Sequence, residues 1–217
     1  MVEGLIMIKE FGKKILETIL PFYYNFKAYK KIEEREQNIL RTNYFDDKIT
    51  KEFSDIVNQN NFETIKELYK LTIERKSKLE EKAKTLVISV TIAVPFSING
   101  INIINKIENE SIRNLCSVIF ILAASFMIIA GILSIKVFTE QIKLYTVDET
   151  KRELYFEYKK VTILNRLLNI IKNNYIYASY ECLRNSLLLV IIFCIIVILF
   201  GNTSLSIIPL IILLFDK

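Results

Sequence analysis

Three stretches of this chain, Thr85 to Ile104, Asn114 to Ile135 and Ser186 to Phe215, contain no Asp, Glu, Lys or Arg. Blocks of that length and purity constrain the fold more than any other feature. A hydrocarbon core of ~30 Å is crossed by ~20 mainly apolar residues, and the first two blocks supply 20 and 22. The chain is 52% hydrophobic yet 24% charged, a combination that only segregation reconciles, and the charges crowd into residues 1–84 and 136–185. The expectation is an integral membrane protein whose apolar blocks cross or enter a bilayer.

Charge beside the blocks sets their orientation, because Lys and Arg are retained on the cytoplasmic side. Between Lys66 and Lys84 there are seven basic and four acidic residues, and between Lys136 and Arg184 nine and six, net +3 in each case. The Asn105 to Arg113 loop is balanced. Both polar regions, and the N-terminus, are therefore expected on the cytoplasmic side of the inner (plasma) membrane, with the first two blocks forming a hairpin. Ser186 to Phe215 contains the turn-like run Gly201-Asn202-Thr203-Ser204, and Pro209 interrupts its second arm. At ~1.5 Å per residue that arm, Leu205 to Phe215, covers only ~17 Å. The preferred reading is a second hairpin and four transmembrane helices; the alternative is three, with a re-entrant or interfacial end. Met1 to Leu20 is not expected to be a cleavable signal, because Lys9, Lys13, Lys14 and Glu17 interrupt it.

The polar regions read as helical. Leu5, Ile8, Ile15, Leu16 and Ile19 share one side of an amphipathic pattern that ends at Pro21. The aromatic and basic run that follows places Tyr23, Tyr24 and Lys27 where headgroup anchors would sit. Phe62 to Leu86 repeats apolar residues at helical spacing with no Gly or Pro before Pro95, so one helix should run from the cytoplasm into the first span. Lys136 to Tyr180 also lacks Gly and Pro, and Leu154, Tyr158, Val161, Leu164, Leu168 and Ile171 mark one face. The predicted fold class is all-α, with a cytoplasmic helical bundle formed by long juxtamembrane helices. Its parts are an N-terminal cytoplasmic or interfacial region (1–61), a stalk helix (62–84), a transmembrane hairpin (85–135), a cytoplasmic helical region (136–185) and a second hairpin (186–217).

Catalytic chemistry has little to work with. The sequence has no His, which removes a Ser-His-Asp triad, a Cys-His pair and any histidine metal site. Phosphate-binding glycine loops are missing as well, and Cys116, Cys182 and Cys194 have no metal or redox spacing. No enzyme activity, metal or cofactor is expected, nor direct nucleic-acid binding. The apolar blocks also lack the ionisable residues that ion-coupled pumps use.

The first block does carry small and polar side chains. Ser89, Ala93 and Ser97 recur every four residues, followed by Asn99, Gly100 and Asn102. Small residues at that interval let helices approach closely in lipid, so Ser89, Ala93, Ser97 and Gly100 are candidate packing positions, as are Ala130, Gly131 and Ser134 of the second block. A bare amide in hydrocarbon is costly, so Asn99 and Asn102 are candidates for a pore lining or an intersubunit contact, with hydrogen bonding inside the monomer as the alternative. The third block is expected to face lipid. Lys82 and Lys84, just before the first block, can snorkel to headgroups.

The run Glu67-Leu68-Tyr69, then Glu74-Arg75-Lys76-Ser77-Lys78-Leu79-Glu80-Glu81-Lys82-Ala83-Lys84-Thr85-Leu86, leading directly into a span, resembles the juxtamembrane segment of small multi-spanning membrane effectors of prokaryotic anti-phage defence systems (CBASS, Pycsar and CRISPR-associated transmembrane proteins). The resemblance covers about 25 residues and the order of spans. It implies a homo-oligomeric effector that permeabilises or depolarises the inner membrane when a defence partner protein or a cyclic nucleotide signals infection. Two other readings fit the same residues: a regulatory or scaffolding subunit that tethers a soluble partner, and a small passive channel or transporter component.

Overall fold

The computed structural model describes residues 20–42, 45–139, 144–148 and 153–200, and these are all helix, turn or irregular connection, with no strand among them. Six helices follow in order: α1 (Pro21–Thr42), α2 (Asp47–Glu52), α3 (Ser54–Val57), α4 (Phe62–Ile104), α5 (Glu110–Thr139) and α6 (Leu154–Phe200). The amphipathic pattern over Met1 to Leu20, Leu20 apart, and the arm Leu205 to Phe215 lie outside the described residues.

Local chemistry sets the starts of these helices. Asp46 Oδ1 accepts from the Ile49 amide at 2.7 Å at the head of α2, and Asn61 Oδ1 accepts from the Glu63 amide at 3.0 Å at the head of α4. Asn109 does the same for α5, accepting from Ile112 at 3.2 Å. Such side chains satisfy amides that have no partner within the helix. From Asn61 the α4 helix runs 43 residues without a break, through Pro95.

The long helices stand side by side. Gly131 of α5 meets Val90 of α4, and Phe120 meets Gly100, so α5 runs antiparallel to α4. Asn169 of α6 donates to the Thr72 carbonyl at 2.8 Å and Lys172 pairs with Glu80 at 3.2 Å, so α6 runs parallel to α4. Helix α1 lies along the first half of α6, with Asn25 Nδ2 donating to the Asn174 carbonyl at 2.9 Å.

One end of this arrangement has an ordinary hydrophobic core. Ile39, Ile49, Phe53, Ile56, Ile65, Ile163, Leu164 and Leu167 are buried together, each contributing ~1.5–3 kcal/mol of apolar burial. Edge-on contacts of Tyr158 with Phe62 and Tyr69, at 5.4 and 5.5 Å between centroids, join α4 to α6 there.

Between α5 and α6 the chain departs from a continuous helical pattern. Although Lys136 to Tyr180 has no Gly or Pro, residues 144–148, between α5 and α6, are not helical. The cause is tertiary: Asn165 accepts from the Tyr145 amide at 3.2 Å and donates to its carbonyl at 3.0 Å. Both backbone groups of Tyr145 are thus diverted from a helical ladder. Its hydroxyl donates to the buried Glu36 carboxylate at 2.5 Å, and burial, reinforced by that carboxylate, holds the phenol well above its ordinary pKa.

The other end is built differently. Helices α5 and α6 are long and apolar enough to cross a bilayer, and only 22% and 17% of their most apolar stretches are buried. A core helix of a soluble protein would be mostly covered. Ile121, Leu122, Ile128 and Ile132 of α5, with Leu187, Ile191, Ile195 and Leu199 of α6, stand exposed instead. Soluble monomers rarely leave so much contiguous apolar surface bare.

Candidate functional site

The apolar end contains two different helix surfaces. The inner one is a seam of small residues between α5 and α6. Ser179 Oγ donates to the Ala130 carbonyl at 2.8 Å, and the Ser134 hydroxyl lies 2.6 Å from it. Since the Ser179 hydrogen is committed to Ala130, Ser134 is the donor of that pair. Two turns further along α6, Ser186 Oγ donates to the Ala123 carbonyl at 2.8 Å. Ala130, Ala178 and Cys182 are buried around this seam. Cys116 and Phe193 continue it, with the Phe120 and Phe193 rings in tilted contact at 5.7 Å between centroids. All three cysteines are free thiols.

On α4, Gly100 is buried under the Phe120 ring and Gly131 of α5 faces Val90. Ser89 is half-buried and its hydroxyl donates back to the Thr85 carbonyl at 2.9 Å, and Ala93 is half-buried. The side chains of Ser97 and Tyr24 lie outside the described residues.

The outer surface is the opposite face of α4. Ile88 and Ile92 are each 60% exposed, and Pro95, Asn99 and Asn102 follow on the same face, all exposed. Their spacing of four, three, four and three is the repeat of a helix face that meets another helix. Asn99 and Asn102 therefore point away from α5 and α6, whereas Gly100 between them points inward.

Charges occupy the level where the two ends meet. Tyr23 is 61% exposed, and Lys27, Lys82 and Lys84 are exposed too. Phe26, Tyr177 and Tyr180 add exposed rings. Next to Tyr180, the buried Glu181 pairs with Arg184, Oε1 accepting from Nη1 at 3.1 Å. Sequence reasoning placed both residues outside the apolar third block, and the small residues Ala178, Ser179 and Cys182 with them. Packing sets them opposite Ala123 to Ser134 of α5, within its uncharged block. The spacing of Ser179, Cys182 and Ser186 was the available signal.

Below that level, Lys172 is buried against Glu80, which also lies 3.6 Å from Lys76. Burial pulls the Lys172 amine down to about 8, against the opposing pull of the Glu80 hydrogen bond and charge. Burial also raises the Tyr69 phenol, with a smaller contribution from Tyr158. No group of Cys, Asp and Glu able to hold a metal ion occurs among the described residues. No family model, curated protein or solved structure matches the chain.

Proposed function

We propose that this chain is a multi-pass protein of the inner membrane whose copies associate through the outward face of α4 into an assembly that permeabilises or depolarises that membrane. The observation that carries the reading is the exposure of Asn99 and Asn102 on a face otherwise made of Ile88, Ile92 and Pro95. Two amides turned toward hydrocarbon would be costly. A second copy, or water in a lumen lined by several copies, removes the cost.

In this reading Thr85, Ile135 and Ala178 mark the cytoplasmic edge of the hydrocarbon, and α4 crosses beside α5 and α6. Tyr23, Phe26, Tyr177 and Tyr180 form an aromatic belt at that edge, with Lys27, Lys82 and Lys84 reaching the headgroups. Glu181 and Arg184 enter the first turns of the slab as a mutually neutralising pair. A fourth crossing by Leu205 to Phe215 completes a second hairpin. The trigger, by the resemblance of residues 67–86 to defence effectors, is a partner protein or a cyclic nucleotide acting on the cytoplasmic helices. A non-pore scaffolding subunit is the second reading, favoured by Leu40 and Leu71, apolar side chains exposed on the polar end.

The test is a potential-sensitive dye in cells that express the chain with its native neighbouring genes. Triggering should depolarise the wild type, and the Asn99→Leu/Asn102→Leu variant should depolarise much less. Unchanged potential in the wild type, at a level of expression confirmed in the membrane fraction, would overturn the pore reading in favour of the scaffold.

A further inference from the structure

Arg75, Lys78 and Lys82 recur at intervals of three and four on α4 and so share one helix face. Arg166, Asn169 and Asn173 repeat the same spacing on α6. Because α4 and α6 run parallel, with Asn169 bonded to Thr72 and Lys172 to Glu80, the two faces converge. They enclose a cleft of about 440 Å³, floored by Phe53 and Leu79, with no acidic residue in its lining.

The charges in this cleft are poorly balanced from within. Asp55 lies 2.7 Å from an Arg166 Nη1, and it is the carboxylate that reaches the cleft's cations among the described ion pairs. Like charges three and four residues apart on a helix repel. Arg166 has a second unmet requirement: its Nε–H is buried and finds no acceptor among the described residues. A buried donor without a partner is rare in a native protein, and it leaves the Arg166 guanidinium incompletely satisfied by its own chain.

We infer that this cleft binds a phosphate-bearing anion. The guanidinium fork matches phosphate oxygens, the lysines supply point charges, and the asparagine amides can address ester oxygens or hydroxyls. The volume suits an organic phosphate better than a bare inorganic ion. Lys82 stands three residues before Thr85, so the rim of the cleft meets the proposed bilayer surface, where an anionic lipid headgroup is at hand. A small soluble phosphate offers the same chemistry. Binding of either kind is independent of whether the chain forms a pore.

The full chain, purified in a neutral detergent, is titrated at low salt with dioctanoyl phosphatidylglycerol, dioctanoyl phosphatidylcholine or inorganic pyrophosphate while thermal unfolding is followed by circular dichroism. Binding to the folded state raises Tm in a concentration-dependent way. A rise with phosphatidylglycerol alone assigns a lipid headgroup, and a rise with pyrophosphate assigns a soluble phosphate. Lys78→Gln/Lys82→Gln, two exposed positions, should weaken either ligand about tenfold, whereas Lys30→Gln/Lys31→Gln on α1, also exposed, should leave it unchanged. Arg166→Lys, which keeps the charge but loses the fork, should weaken it as well. The inference is overturned if neither phosphate shifts Tm, if phosphatidylcholine matches phosphatidylglycerol, or if the α1 pair weakens binding as much as the cleft pair.

Discussion

The Ser134 hydroxyl donates to that of Ser179, which in turn donates to the Ala130 carbonyl one turn away on the same helix as Ser134. A two-step relay of this kind ties α6 to the backbone of α5 through polar atoms set in apolar surroundings. It also fixes which residues of the two helices share a level, and the depth of every nearby charge follows.

Removing that tie should loosen the pair measurably. Ser179→Ala strands the Ser134 hydroxyl and should lower unfolding free energy by about 0.5–1.5 kcal/mol. Ser117→Ala, whose hydroxyl bonds only to Arg113 of its own helix at 2.8 Å, should cost almost nothing. Thermal unfolding in detergent, followed by circular dichroism, separates the two. Equal losses would mean the seam contributes no interhelical stabilisation.

Gly100 is expected to tolerate no side chain. A Cβ there would sit 2.3 Å from the Phe120 ring, so Gly100→Ala should cost about 1–3 kcal/mol through overpacking. Phe120→Leu introduced beside it should recover part of the loss, a coupling that a double-mutant cycle measures. At Gly131 the nearest atom, Val90 Cγ1, is 3.2 Å away, and the gain in helix propensity from Ala should leave that variant near neutral. Additive effects of Gly100→Ala and Phe120→Leu would contradict the contact.

Lys172 gives the polar end a definite pH dependence. Its amine titrates at about 8 in the folded chain, against an ordinary 10.5, so between those values the unfolded chain binds the extra proton. Stability contributed by this group therefore rises with pH from about 8 toward 10.5 and is at its lowest below about 8. Lys172→Met should abolish that slope and leave stability at neutral pH unchanged or higher, because a buried ion pair seldom outperforms an apolar substitute. Glu80→Gln, which leaves the ammonium buried without its carboxylate, should cost about 3 kcal/mol. Denaturation midpoints measured from neutral pH up to about 10 test all three statements.

A core substitution should distinguish the two ends. Leu164→Ala in the buried cluster should cost about 2–5 kcal/mol, while Ile191→Ala, exposed on α6, should cost far less in detergent. Comparable losses at both positions would mean that α6 is covered along its whole length.

The sequence made some of this architecture readable and hid the rest for identifiable reasons. The continuous helix from Phe62 to Ile104 was legible from apolar spacing and the lack of Gly or Pro before Pro95, because both are local properties. The interruption before Leu154 was not, since Asn165 imposes it from the far side of the gap. Charge counting placed the edge of the third apolar block at Ser186, but Glu181 and Arg184 cancel one another across one helical turn, and hydropathy registers charges without their pairing. The outward amides of Asn99 and Asn102 were readable as polar residues needing a partner; which way they pointed depended on where Gly100 meets Phe120. The basic cleft joins residues some ninety positions apart, so only the register of two parallel helices assembles it.

The unbroken length of α4 makes it a lever. Its 43 residues span about 65 Å at ~1.5 Å per residue. If the end at Phe62 is taken as the pivot, a tilt of about 5° moves the far end by about 5 Å, roughly the rise of one helical turn. A small rearrangement among Phe62, Tyr69 and Tyr158 would therefore suffice to shift Asn99 and Asn102 by one side-chain position against whatever they touch.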